Sequence, residues 1–208
     1  IRANYVGTNA ALVTNAGNTF SGVHITDDAH DNIVGGPEPD SGNTIAYNGG
    51  AGVWIDETAG NGNLVDPNKI FQNGGIGIDI GNFGRTDNDP GDSDEGPNRG
   101  QNYPEIVQFN IDGNGNLIVT YKVDSTPGNS NYGFSGLYIE FFKADPSGEG
   151  ELFLDFDHYT VADWGNGSPG DKTINLGNAL SIGFLPGHRM TASATDANNN
   201  TSEFFPVA

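Results

Sequence analysis

Two segments of this chain repeat each other and decide its fold. They read Ile45-Ala-Tyr-Asn-Gly-Gly-Ala-Gly-Val-Trp-Ile55 and, 25 residues later, Ile70-Phe-Gln-Asn-Gly-Gly-Ile-Gly-Ile-Asp-Ile80, with six of eleven positions identical. A unit of this length, holding short strands between Gly and Asn residues, is typical of one coil of a parallel β-helix. Successive coils of such a helix stack, so equivalent residues form columns.

A third, weaker copy precedes these two and reads Phe20-Ser-Gly-Val-His-Ile25. Because side chains alternate along a strand, the first and third residues of each Val-x-Ile unit should point into the core and the middle residue outward. The predicted inward residues are Val23, Ile25, Val53, Ile55, Ile78 and Ile80. The sequence therefore predicts a β-helix of about three coils.

Asn residues recur at fixed places in these units. One set lies two residues before the leading apolar residue, at Asn18, Asn43 and Asn68, and a second set precedes an apolar pair, at Asn4, Asn32 and Asn63. Aligned Asn side chains can hydrogen-bond from coil to coil. The alternative is that these residues only make turns.

Composition narrows the class of protein. The 208 residues include 27 acidic and 8 basic ones, for a net charge of −19, and this surface would repel nucleic acid. The 32 Gly and 26 Asn residues favour turns and short strands over helices. The absence of cysteine excludes disulfides and suits a secreted or cell-surface protein stabilised by a hard cation.

Neither a signal peptide nor an apolar membrane-spanning run is recognisable, so membrane insertion is not expected. Because the chain begins at Ile1 without Met, we expect it to be a processed or excised piece. The first coil should expose an unpaired strand edge. We expect earlier coils or a second chain to cover that edge.

From Tyr103 onward the period changes to longer strands separated by Gly and Pro turns, which predicts an antiparallel β-sandwich of about seven strands. Its apolar runs are 106–111, 117–123, 137–142, 152–156 and 190–194. The sequence thus predicts an all-β chain with coils over 1–85, an acidic linker over 86–102 and a sandwich over 103–208.

The linker is the first candidate metal site. Its five carboxylates would repel one another, and a calcium ion, which accepts about six to eight oxygens, would neutralise them. These are Asp87, Asp89, Asp92, Asp94 and Glu95. The alternative is a solvated acidic linker. A second candidate pair, Asp196 and Glu203, flanks a tight Asn turn, and Asp145 and Glu149 lie in a further acidic loop.

The outward residues of the three repeats are His24, Trp54 and Asp79. An exposed Trp between hydrogen-bonding groups can stack on a sugar ring, so this column is a candidate carbohydrate-binding site for a polysaccharide or a cell-surface glycan. The alternative is that Trp54 is covered by the sandwich or by a loop.

The repeated Asn-Gly-Gly-x-Gly-[Val/Ile]-x-Ile motif, the acidic segment 88–98, Gln101-Asn-Tyr-Pro104 and the tail 192–203 carry a resemblance. The chain resembles the C-terminal part of bacterial secreted or surface right-handed parallel β-helix proteins, followed by an Ig-like sandwich. That resemblance implies an architecture shared by polysaccharide lyases, glycoside hydrolases, adhesins and stalks.

Two functions follow from the resemblance. One is a non-catalytic, calcium-stabilised extracellular module with a structural, adhesive or carbohydrate-binding role. The other is the C-terminal part of a polysaccharide lyase or glycoside hydrolase. The few bases, such as Lys69, Arg85 and Arg99, form no cluster with His24 or His30 that spacing supports, which favours the first.

Overall fold

Eight short parallel strands form the N-terminal part of the molecule. The structure is a computed structural model that describes residues 1–12, 15–36, 38, 40–165 and 167–207. The strands are β1 (Tyr5–Val6), β2 (Val23–Ile25), β3 (Ile33–Gly35), β4 (Thr44–Ala46), β5 (Val53–Asp56), β6 (Leu64–Asp66), β7 (Lys69–Phe71) and β8 (Ile78–Gly81). They pair in the orders β1-β4-β7, β2-β5-β8 and β3-β6. The first two coils each contribute one strand to all three sheets, and the last coil contributes β7 and β8 to two of them.

The inward columns of the repeats are confirmed. Val23 pairs with Val53 and Val53 with Ile78, in parallel register. All six predicted inward residues are buried and belong to one apolar core. Since each coil stacks the same aliphatic shape on the next, this core continues along the coil axis without a break.

The Asn residues do hydrogen-bond from coil to coil, but the predicted grouping was wrong for the first coil. The observed columns are Asn4–Asn43–Asn68, Asn18–Asn48–Asn73 and Asn32–Asn63–Asn98. Residues 7–22 connect β1 to β2, whereas only residues 47–52 connect β4 to β5. This longer connection places Asn18 above Asn48 rather than above Asn43, so its spacing of 25 residues from Asn43 is coincidental.

Each column of Asn side chains has a direction. The backbone N–H and the Nδ2 of Asn48 both donate to Oδ1 of Asn73, at 3.0 and 2.9 Å, while Asn18 donates in the same two ways to Oδ1 of Asn48. Asn4 and Asn43 repeat this pattern in their own column. The stack therefore has donors open at its C-terminal end and acceptors open at its N-terminal end.

Six antiparallel strands form the sandwich, one fewer than expected. They are β9 (Glu105–Ile111), β10 (Asn116–Lys122), β11 (Leu137–Ala144), β12 (Gly150–Tyr159), β13 (Lys172–Asn178) and β14 (Arg189–Thr195). They form two sheets in the orders β13-β10-β9 and β12-β11-β14, around a second apolar core. β13 was not among the predicted apolar runs, because Ile174 and Leu176 are its only large apolar residues. The one α-helix described, α1 (Val161–Trp164), spans four residues, and none of the described helices is long and apolar enough to cross a membrane.

One sheet of the sandwich lies against the last coil. Phe142 of β11 and Phe204 of the C-terminal tail are buried in the core of the coils, with ring centroids 5.3 Å apart. Gly77 permits this approach, because a Cβ at that position would come within 2.8 Å of the Phe204 ring. The two predicted domains therefore share an apolar interface.

We predict that Asn48→Ala lowers the free energy of unfolding by about 2 to 3 kcal/mol, because it removes the side-chain hydrogen bonds to Asn18 in the first coil and to the buried Asn73 in the third. Urea unfolding measures this loss. The control is Asn110→Ala, on an exposed side chain of β9, which should change the free energy by less than about 0.5 kcal/mol. Equal losses in the two variants would contradict a structural role for the column.

Candidate functional site

The junction between the last coil and the sandwich is the candidate functional site. Its central residue is Glu149, at the turn between β11 and β12. The Glu149 carboxylate accepts hydrogen bonds from the backbone N–H of Asn73 at 2.8 Å and from its Nδ2 at 2.9 Å. These are the two donors that a further Asn would have accepted. Asp145 in the same turn accepts the N–H of Gln72 at 2.9 Å.

A second column, the one through Asn63, ends in a similar way. Asn98, in the 3₁₀ turn Pro97–Gly100, accepts the N–H of Asn63 at 2.9 Å. In the C-terminal segment, Asn200 accepts the N–H of Gly62 and Thr201 accepts the N–H of Val65. All of these acceptors are side-chain oxygens from outside the coils. They replace the next coil with polar atoms that cannot propagate the stack.

Glu203 accepts a hydrogen bond from the edge of β8, the last strand of the coils. Its two oxygens accept the N–H groups of Ile80 and Thr86, each at 3.1 Å. Asp196 lies elsewhere and accepts the N–H groups of Asn198 and Asn200 in its own turn. The structure therefore does not bring Asp196 and Glu203 together as a metal site, and their oxygens are engaged by amides.

Burial changes the acidity of these carboxyls. Burial raises the pKa of Glu149 to about 7, even though its bonds from Asn73 act in the opposite direction. The pKa of Glu203 is raised to about 7 for the same reason. Asp145 differs, because hydrogen bonds from Gln72 and Ser147 outweigh its burial and lower its pKa.

A second pair of acids faces across the junction. Asp66 of β6 and Glu140 of β11 are both buried, and no described residue donates a hydrogen bond to either oxygen of Glu140 or to Oδ1 of Asp66. Burial raises the pKa of Glu140 well above its usual value, and the adjacent Asp66 raises it further. Burial also raises the pKa of Asp66, although its contact with Glu140 opposes that change. A proton on Glu140, donated to Asp66, satisfies this pair.

The acidic loop brings together three of its five predicted ligands. Carboxylate oxygens of Asp89, Asp92 and Asp94 lie within 4.8 Å of one another. Asp87 and Glu95 are exposed and lie outside this cluster. The loop borders a cleft of 330 Å³ between β8, the 3₁₀ turn and the sandwich, whose lining includes Asp94 and Glu203.

The three clustered acids differ in their partners. Asp92 is buried and accepts hydrogen bonds from Ser130, from Nε2 of Gln101 and from the N–H of Asn102. Oδ1 of Asp94 is buried and has no partner among the described residues. An oxygen of this kind, beside two further carboxylates, suits a hard cation such as calcium.

His24, Trp54 and Asp79 are aligned as the repeats predicted, but they are not all exposed to solvent. His24 pairs with Trp54 and Trp54 with Asp79. The His24 ring stacks on the indole at 4.4 Å, Phe83 packs against the indole at a right angle, and Nε1 donates to the carbonyl of Gly81. At most one indole face remains for a sugar ring.

The prediction that Asp79 belongs to an exposed carbohydrate site was wrong. It is fully buried, and its Oδ2 accepts the N–H of Gly84 at 3.0 Å. The turn after β8 covers it, so this side chain cannot contact a glycan.

Sequence reasoning missed several residues of the junction. Asp145 and Glu149 were noted as an acidic loop but not as acceptors for the last coil. Glu140 carried a usable signal, because it is a charged residue inside an apolar strand. Asn98 and Thr201 carried none, since such residues are common in turns. No protein-family model and no curated protein sequence matches this chain.

We predict that the free energy of unfolding falls as the pH rises from about 5 to about 7. In that range the folded protein keeps protons on its buried carboxyls that the unfolded chain has already released, because their folded pKa values are raised. Glu140→Gln should reduce this fall, since Gln carries a permanent donor towards Asp66. Urea unfolding at several pH values measures it, and each pKa unit corresponds to about 1.4 kcal/mol.

The control for this experiment is Glu38→Gln, on an exposed loop. It should keep the pH dependence of the unmodified chain. A stability that rises over the same pH range, or a Glu140→Gln variant with unchanged slope, would contradict the assignment of a proton to the buried pair.

Proposed function

We propose that this chain is a non-catalytic, calcium-stabilised extracellular module, secreted or at the cell surface, that terminates a parallel β-helix. The observation that carries this proposal is the set of side-chain acceptors at the last coil. The Asn column that runs through Asn48 and Asn73 ends at the Glu149 carboxylate. A β-helix end without such a cover would expose unpaired strand edges, which promote aggregation.

The composition of the junction supports the same role. The cover must supply acceptors, and the Glu149 carboxyl accepts the N–H and the Nδ2 of Asn73 on its two oxygens. Phe142 and Phe204 close the apolar core that the last coil would otherwise expose to water. The carboxylates of Glu149 and Glu203 are occupied by amide donors, as expected of structural groups rather than of an acid and base that act on a substrate.

Calcium at the acidic loop fits this structural role. The loop containing Asp89, Asp92 and Asp94 joins the last coil to the sandwich and is tied to both. Asn102 at its end donates to the carbonyls of Asp89 and Asp124, while Asn98 donates to those of Asn63 and Thr201. A cation that neutralises the three carboxylates would stabilise the loop and, through it, the position of the sandwich.

We predict that Glu149→Ala exposes the end of its Asn column. The amide of Asn73 should exchange with solvent many times faster, because its acceptor is lost, and hydrogen exchange followed by mass spectrometry or NMR measures this. The matched control is Glu151→Ala, two residues further along the chain at the start of β12, whose side chain pairs with Lys143 instead. Unchanged protection of Asn73 in Glu149→Ala would contradict the capping role.

We predict that millimolar calcium raises the melting temperature by several degrees over that measured in EDTA. Asp94→Ala should abolish most of this difference, since it removes the unpartnered oxygen of the cluster. Glu95→Ala is the matched control, because this neighbouring acid is exposed and outside the cluster. Differential scanning calorimetry measures all three proteins. If the melting temperature is the same in calcium and in EDTA, the metal is removed from the proposal, but the capping role is unaffected.

A further inference from the structure

The N-terminal end of the coil stack is not covered by the sandwich, and it presents hydrogen-bond acceptors where the C-terminal end presents donors. Asn4, Asn18 and Asn32 are exposed, whereas their partners in the second coil, Asn43, Asn48 and Asn63, are buried. Each first-coil Asn donates to the second coil, and no described residue donates to its own Oδ1. This end therefore presents a triangle of amide acceptors.

The inward residues of the first coil are buried but less fully covered than those of the next coil, since Val23 and Ile25 are 8% and 7% exposed whereas Val53 and Ile55 are 0% exposed. A depression of 270 Å³ lies over the first coil, and Ile1, Val23, Ile25 and Val34 are among its lining residues. Ile33, which also lines the depression, is more than one third exposed. In the lower coils the equivalent aliphatic residues are covered by the next coil, so a matching coil would bury these groups too.

Ile1 already makes the first contact of such a coil. Its N–H group donates to the carbonyl of Ile33 at 2.7 Å, and its carbonyl accepts the N–H of Gly35 at 2.8 Å. These two bonds flank Val34 in the way that a parallel strand pairs with its neighbour. Nδ2 of Asn43 also donates to the Ile1 carbonyl, as Nδ2 of Asn68 does to that of Val34. Ile1 thus occupies the place above Val34 that a preceding strand would have.

We propose that this face binds one kind of partner, a parallel β-helix coil that presents Asn donors in the three column positions and small aliphatic residues on its inner side. This proposal rests on the proposed function, because a module that terminates a β-helix must be joined to further coils. Each partner Asn would donate its N–H and Nδ2 to Oδ1 of Asn4, Asn18 or Asn32, continuing the direction of the columns.

A second copy of this chain does not fit the same face. Its own open end presents Oδ1 acceptors, which would meet acceptors, and its donor end is covered by its own sandwich through Glu149, Asn98 and Thr201. The columns therefore allow growth in one direction only, and they exclude a head-to-head pair held by these amides.

The experiment adds such a coil to the full chain. Residues 43–67 are duplicated directly before Asn4, in place of residues 1–3, so that the copy of Val65 takes the position of Ile1. The matched control carries the same duplication with Asn43→Ala, Asn48→Ala and Asn63→Ala in the copy alone. The readouts are amide hydrogen exchange in β2 and the free energy of unfolding.

We expect the intact copy to slow exchange in β2 by about tenfold or more relative to the control, and to raise the unfolding free energy above that of the parent chain. Equal protection by the two copies would overturn the proposal. So would a stable dimer of the parent chain that protects β2, measured by sedimentation, because a second copy would then occupy the face. Protection of Asn73 at the other end, measured in the same samples, reports separately on the capping role.

Discussion

The direction of the Asn hydrogen bonds is the constraint on which the rest of this structure depends. In each column, one coil donates two hydrogen bonds to a single amide oxygen in the next coil, as Asn48 does to Asn73. A stack built in this way is not symmetric, because one end is left with donors and the other with acceptors. Leaving buried donors unpaired costs on the order of 1 to 3 kcal/mol each, so the donor end needs a cover that accepts. Glu149 and Thr201 of the sandwich supply that cover together with Asn98 of the 3₁₀ turn before it.

This requirement explains part of the acidity of the chain. The acceptors of the cover include carboxylates that burial makes less acidic, with pKa values of about 7 for Glu149 and Glu203. Glu140 and Asp66 lie in the same interface, and burial raises the pKa of both carboxyls. The acidic loop differs, because its buried Asp92 and half-buried Asp89 and Asp94 converge and would suit a cation. A cation at this cluster would serve the same purpose as a proton on the buried pair, which is to neutralise carboxylates that the fold holds close together.

The outward column of His24, Trp54 and Asp79 shows that contacts between coils can cover side chains that the repeats predict to be exposed. His24, Trp54 and Asp79 occupy equivalent positions in three coils, as their repeats indicate. The same alignment that places them together lets the His24 ring cover an indole face, while the turn after β8 covers Asp79. Equivalent positions in a solenoid are therefore not equivalently exposed, since the last coil is covered by whatever follows it. The open first coil is the surface that keeps its pairing capacity.

The sequence by itself determined the coils, the inward aliphatic columns and the change to antiparallel strands near Tyr103, because these follow from local periodicity and turn residues. It also located the acidic loop. Only the tertiary structure decided that Asn18 stacks on Asn48, because that pairing depends on how the longer connection of residues 7–22 folds. It alone joined Glu149 to Asn73 and Glu140 to Asp66. These contacts link residues far apart in the chain, and nothing in the local sequence of either partner specifies the other.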